Sequence, residues 1–112
     1  MIIHNLQLAT TPFMAITSGK KTIESRLYDE KRRLIELGDL IEFTNREKTD
    51  EVVRVRVIGL LRYKTFHDLF THNIPDKFGG GSIEWLESQI SEFYTIDDQI
   101  KNGVIGIEFE LV

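Results

Sequence analysis

Lys21, Glu24 and Arg26 are the residues of this 112-residue chain whose types and spacing best suit chemistry. If residues 22–27 form a strand, Glu24 and Arg26 share one of its faces, because successive side chains of a strand alternate between faces. Lysine and arginine can hold a phosphate or a base carbonyl, and glutamate can accept from an exocyclic amine or act as a general base. This trio is a candidate for binding, catalysis or a fixed ion pair, and a solvated edge strand followed by a charged loop is the alternative.

The segment around the trio, residues 19–33, is basic within an acidic chain. It holds six of the 14 basic residues but only three of the 18 acidic ones, and the net charge of the chain is −4. Such a segment creates a local positive field and not a global one. The overall acidity argues against indiscriminate coating of nucleic acid or membrane, but it is compatible with a cleft that binds a nucleotide.

The elements that must position the trio follow from periodicity and capping signals. A helix that ends at Gly19 would deliver the chain to Lys20 and Lys21 at a sharp corner. Further strands are expected at 2–8, 40–44, 52–61 and 104–112, with a bulge at Gly59, and helices are expected to begin near Thr10, Thr65, Ser82 and Thr95. Strands dominate, so the pattern predicts an α+β fold with a curled, barrel-like sheet.

Three expectations concern how this sheet closes and what surrounds it. The last strand is too apolar for an exposed edge, which predicts a closed or nearly closed barrel with its first and last strands adjacent. Helical spacing predicts a buried stripe of Ile83, Leu86, Ile90 and Phe93. Trp85 lies near that stripe and is expected to pack in the core, with a base-stacking platform as the alternative. The glycine-rich segment 73–81 is expected to be an ordinary connector, with a lid over a site as the alternative.

Several classes of protein and site are excluded by what the sequence lacks. There is no cysteine, so disulfides, thiolate catalysis and cysteine-based zinc sites are absent. No phosphate-loop, dinucleotide-binding, HExxH or GxSxG motif occurs, and we predict neither a metal nor a cofactor. No signal peptide or membrane-spanning run is present, so we expect a cytoplasmic protein without a membrane partner. The length predicts one domain, residues 1–112.

Residues 19–26, GKKTIESR, match the pattern GxKxxExR, and this stretch resembles the signature of the ASCH (activating signal cointegrator homology) domains. The resemblance continues through residues 27–32 and 38–43 to Phe93-Tyr94 and residues 103–107, so it covers essentially the whole chain. It implies a PUA-like β-barrel with short flanking helices. It also implies a cleft lined by the signature, in a family generally proposed to bind RNA in transcription- or translation-linked roles.

Carried over position by position, the resemblance assigns Lys21, Glu24 and Arg26 to that cleft. Tyrosines can add stacking on a base. The predicted set of RNA- or ligand-binding residues is Lys20, Lys21, Glu24, Arg26, Tyr28, Lys31, Arg32 and Tyr94.

Binding and catalysis both remain open at this point. Some ASCH proteins resemble amidohydrolases of N4-acetylcytidine, with a lysine at the position of Lys21 and a threonine nucleophile at that of Glu24. A carboxylate cannot simply replace that hydroxyl in forming an acyl-enzyme, which weakens this interpretation. Other members are similar to metal-assisted ribonucleases that use lysine and tyrosine. We therefore expect a module that binds RNA or a nucleotide, with a hydrolase using Lys21 and Glu24, or a small-metabolite binder, as alternatives.

Overall fold

The computed structural model describes residues 2–112, which form one sheet with helices around it. The strands are β1 (Ile3–Leu8), β2 (Ile23–Leu27), β3 (Leu40–Asn45), β4 (Val52–Tyr63) and β5 (Val104–Leu111). The helices are α1 (Thr10–Thr17), α2 (Glu30–Arg33), α3 (Phe66–Thr71), α4 (Ile83–Ser91) and α5 (Ile96–Asn102), with a 3₁₀ turn at Pro75–Lys77. The predicted α+β class and barrel-like sheet are confirmed, with the sheet curled into a half-barrel.

The strand order is β1-β3-β4-β5-β2, which makes β1 and β2 the two edges of the sheet. Strand β1 pairs parallel with β3, and every other pairing is antiparallel. The expected adjacency of the first and last strands is therefore wrong, because β5 lies between β4 and β2. Residues 104–107 of β5 are all buried, and an inner position supplies a neighbour on each side. Strand β5 is indeed not an exposed edge, but the strand beside it is β2 and not β1.

The gap between the two edge strands, which we call the seam, is bridged by side chains. The Nη2 of Arg26 on β2 donates to the carbonyl of Gln7 on β1 at 2.9 Å. The Nζ of Lys31 on α2 donates to the carbonyl of Asn5 at 2.8 Å. Edge strands carry unpaired backbone groups, and here two basic side chains satisfy two of them. The trio lies beside this seam.

Two apolar clusters hold the sheet and helices together. One lies inside the curve of the sheet and contains Phe43 and Phe109, whose ring centroids are 5.6 Å apart. The other fills the space between the sheet and helices α3 and α4, and it includes Phe66, Phe70 and Phe78. This second cluster forms the apolar wall against which the site is built.

Local signals set most element boundaries. The side chains of Thr65, Ser82 and Thr95 each accept from a backbone N–H in the first turn of a helix, as predicted. Gly59 marks a register shift between β4 and β5, and a Cβ there would lie 2.8 Å from Glu108 Oε1. After β2, Asp29 caps the single turn of α2 by accepting from Arg32 N. None of the helices within residues 2–112 is long and apolar enough to cross a membrane.

Candidate functional site

The corner that presents Lys21 is fixed by backbone hydrogen bonds on two sides. Lys21 N donates to Ala15 O of α1 at 2.9 Å, and Thr22 N donates to Lys77 O at 2.8 Å. Gly19, at φ +82°, permits the sharp turn out of α1 because glycine tolerates a left-handed backbone. The glycine-rich segment is thus attached to the start of β2 through its 3₁₀ turn. The chain enters β2 from a rigid corner, so Lys21 has a defined position relative to Glu24.

The trio forms a closed charge network around one buried carboxylate. Lys21 Nζ lies 2.7 Å from Glu24 Oε1, and Arg26 Nε lies 2.6 Å from Glu24 Oε2. Glu24 is only 4% exposed. Each carboxylate oxygen therefore contacts one cation and keeps a lone pair for a further donor. The expected proximity of Glu24 and Arg26 is present in the structure.

The network favours the charged forms of Glu24 and Arg26. Burial by itself would raise the pKa of Glu24, but attraction and hydrogen bonds from Lys21 and Arg26 lower the pKa to about 2. Burial would also lower the pKa of Arg26, yet the carboxylate of Glu24 outweighs it and the pKa is raised. Glu24 is thus a permanent hydrogen-bond acceptor near neutral pH.

The trio lines a cavity of about 390 Å³, which we call the trio cavity. Its other side is apolar and aromatic, and it is formed mainly by Phe70, Phe78, Trp85, Leu86, Ile90 and Phe93. Trp85 is 48% exposed and Phe93 is 64% exposed, so both rings offer surface to a ligand. A cavity with an apolar wall and a few convergent polar groups is typical of small-ligand sites. A planar ring with polar edges fits both sides of this one.

Of the other predicted site residues, only Tyr94 also lines the trio cavity. Its ring stacks on Phe66 with centroids 5.6 Å apart, which fixes its orientation. Lys20 is exposed at the corner and is not among the lining residues. Tyr28 also lies outside the cavity, and its ring is covered by the guanidinium groups of Arg33 and Arg62, at 4.6 and 4.2 Å from the centroid. The structure gives Tyr28 packing partners instead of an open stacking face.

Lys31 and Arg32 lie around a neighbouring depression of about 480 Å³, which we call the basic cavity. Arg26 and Arg46 line it as well. Arg32 is held by Asp29, with Nη1 2.8 Å from Oδ2. The predicted basic residues thus divide between two cavities, and Arg26 belongs to both.

Sequence reasoning missed three residues of these cavities. Trp85 was expected in the core and Phe93 on a buried helical stripe, and both expectations are wrong. Phe93 follows the end of α4, and Trp85 lies over Gly81, where a Cβ would be 2.7 Å from the ring. Arg46 follows β3 in a polar turn, and nothing in its local sequence distinguishes it from the other charged residues there. Within residues 2–112, no three histidine, aspartate or glutamate side chains are grouped to hold a metal ion.

Comparison with protein families identifies the class to which this fold and cleft belong. The model of the ASCH domain matches residues 6–112, so the chain belongs to the ASCH domain family. The resemblance of the GxKxxExR segment is thereby confirmed. A search of the curated proteins gave no match.

The chain is also similar to solved structures. The chain is 33% identical to the hypothetical protein PH0355, with a TM-score of 0.87 over 99% of this chain and all of that one. It is 32% identical to protein PF0455 from Pyrococcus furiosus, with a TM-score of 0.77 and coverage of 99% and 98%. An ASCH protein from Zymomonas mobilis shares the fold at 16% identity, with a TM-score of 0.70 over 96% of this chain and 66% of the other.

Proposed function

We propose that this ASCH domain binds RNA or a nucleotide and places one base in the trio cavity. The observation that carries the proposal is the buried Glu24 carboxylate, held between Lys21 and Arg26 and facing an aromatic wall. Bases combine flat apolar faces with polar edges, so they match such a cavity on both counts.

Each side of the cavity has a distinct role in this proposal. Glu24 accepts a hydrogen bond from an exocyclic amine or ring N–H of the base. Lys21 and Arg26 donate to a base carbonyl or to the sugar-phosphate backbone. Trp85 and Phe93 stack on the base. The donors and the acceptor are held before the ligand arrives, which reduces the entropy lost on binding.

The electrostatics of the trio favour binding over hydrolysis. A general base works best when its pKa lies near the working pH, whereas Glu24 has a pKa of about 2. Its conjugate acid is therefore scarce at neutral pH, and the carboxylate is a weak base. The nucleophilic hydroxyl of the amidohydrolase-like ASCH proteins is also replaced here by this carboxylate.

The test uses Trp85, the single tryptophan of the chain, as an intrinsic reporter of the trio cavity. Nucleosides, nucleotides and short single-stranded RNAs are titrated while tryptophan fluorescence is followed. We expect saturable quenching by the preferred ligand and no ligand hydrolysis above background. Absence of saturable binding by every ligand would overturn the proposal, and turnover of an RNA or of N4-acetylcytidine would establish the hydrolase alternative.

Phe93→Ala and Ile100→Ala form a matched pair for this test. Both side chains are exposed and apolar, at 64% and 73%, but only Phe93 lines the trio cavity. Loss of one stacking ring is expected to weaken binding by ~1–3 kcal/mol, and Ile100→Ala is expected to leave affinity unchanged. Equal affinities in the two variants would place the ligand elsewhere.

A further inference from the structure

We infer that the basic cavity is a phosphate-binding subsite, so that the ligand of the trio cavity carries a phosphate and is not a free nucleoside. This inference rests on the proposed function and specifies the class of its ligand. The lining of the basic cavity is rich in positive charge. Four basic side chains line the cavity, namely Arg26, Lys31, Arg32 and Arg46, and no aspartate or glutamate is among the described lining residues. The net charge of the whole chain is −4, so the cavity is a local concentration of cations in an acidic protein.

Several hydrogen-bond donors around the basic cavity have no protein acceptor. Arg32 Nε is buried and has no hydrogen-bond partner within residues 2–112. A buried donor without an acceptor costs free energy, and a small movement of the Arg32 side chain would let a phosphate oxygen satisfy it. Lys31 uses one donor on Asn5 O, and an ammonium group has two more.

Arg46 adds a further cation to the lining of the basic cavity. Its backbone N–H donates to Leu8 O at 2.7 Å, which fixes the residue at the end of β3. Its exposed guanidinium forms no ion pair within the described part of the chain. The adjacent Glu47 instead accepts from Thr10 N at 3.0 Å. Arginine presents a rigid fork of donors that suits phosphate.

The two cavities adjoin at the seam. Gln7, Arg26 and Arg46 line both of them. A base in the trio cavity can therefore extend its sugar toward the basic cavity, which would hold the attached phosphate. Arg26 and Lys31 have a structural role, because they donate to β1 carbonyls and so support the seam. That role does not explain the presence of Arg46 or of the Nε of Arg32, which is unpaired within residues 2–112.

The experiment compares each of the four ribonucleosides with its 5′- and 3′-monophosphates, by calorimetry at fixed salt. It uses the wild type, Arg46→Gln and Lys48→Gln. The last two remove one charge each from the same turn, but Lys48 lines neither cavity. For wild type we expect one monophosphate to bind about tenfold or more tightly than its nucleoside, as one charge-assisted contact provides. That ratio should shrink severalfold in Arg46→Gln and persist in Lys48→Gln.

The outcomes separate the subsite from the proposed function. Equal binding of nucleoside and monophosphate, or an undiminished ratio in Arg46→Gln, would overturn the phosphate subsite and leave base binding intact. If no nucleoside or nucleotide binds, and the short RNAs of the fluorescence titration do not bind either, the proposed function fails. Inorganic phosphate is then titrated while the backbone amides are followed by NMR. Saturable shifts at Arg32 and Arg46 would support the anion site, and their absence would overturn it.

Discussion

Two pairs of strands in this sheet are joined by different means. Strands β4 and β5 form a backbone ladder, whereas β1 and β2 face each other across the seam. The ladder runs from the Val55–Leu111 pair to the Tyr63–Val104 pair, with one register shift at the Gly59 bulge. The seam is joined by side chains, with Arg26 and Lys31 donating to β1 carbonyls. Backbone pairing leaves no room for a ligand between strands. A seam bridged by long cationic side chains leaves such room, and both cavities lie along it.

A charged residue of the seam can both support the sheet and line the site. Arg26 bonds to Glu24 in the trio cavity and to the carbonyl of Gln7 on the opposite edge. The side chain that supports the edge strand is thus also a wall of the site. Stability and binding are therefore coupled at the seam, and they are separable along the ladder.

The largest effect on stability is expected from the core beside the ladder. Phe43 is fully buried and packs on Phe109 of β5. Phe43→Ala is expected to lower the free energy of unfolding by ~3–5 kcal/mol, through lost apolar contact and the cavity left behind. Urea denaturation measures it, with Ile58→Ala, half-exposed on β4, as the control with a loss of about 1 kcal/mol or less. A loss in Phe43→Ala as small as in the control would contradict this account of the core.

The next effect is expected at the seam and depends on pH. The folded-state pKa of Glu24 is about 2, below its value in an unfolded chain. Its ionisation therefore stabilises the fold fully above pH ~4.3, and that contribution is lost as the pH falls toward about 2. Glu24→Gln, which resembles the protonated side chain, is expected to be about 3 kcal/mol less stable than wild type at pH 7.

Denaturation of both proteins at several pH values measures this difference. It should shrink steadily between pH ~4.3 and 2. Asp39, whose pKa is also lowered, chiefly by its hydrogen bond from His4, is present in both proteins and cancels in the comparison. A difference that does not change over this range would show that Glu24 titrates alike in the folded and unfolded chains.

The smallest effect on stability is expected from the second bridge of the seam. Lys31→Met keeps most of the aliphatic stem and removes the hydrogen bond to Asn5 O. The free energy of unfolding should fall by about 1 kcal/mol or less, because the lysine is exposed. Hydrogen exchange should nevertheless accelerate in β1 and not in β5. Lys20→Met serves as the control, and equal exchange in both variants would mean that Lys31 does not hold the seam.

Much of the local structure was predictable because its causes are local. The caps at Thr65, Ser82 and Thr95 depend on a hydroxyl next to its own helix. The shared face of Glu24 and Arg26 follows from the two-residue alternation of a strand. Their association was therefore visible before any tertiary contact was known.

Which strands meet, and what surrounds the trio, was decided by the tertiary structure. Alternation shows that a strand has a buried face, but it does not identify the neighbouring strand, so β5 was placed beside β1 instead of β2. Trp85 and Phe93 have apolar side chains suited to a core, yet the bend after α4 and the close approach of Gly81 leave them at the rim of a cavity. Arg46 joins the site because β3 ends beside Leu8 of β1. Each of these placements depends on contacts between segments far apart in the chain, and such contacts cannot be deduced from the sequence of either segment alone.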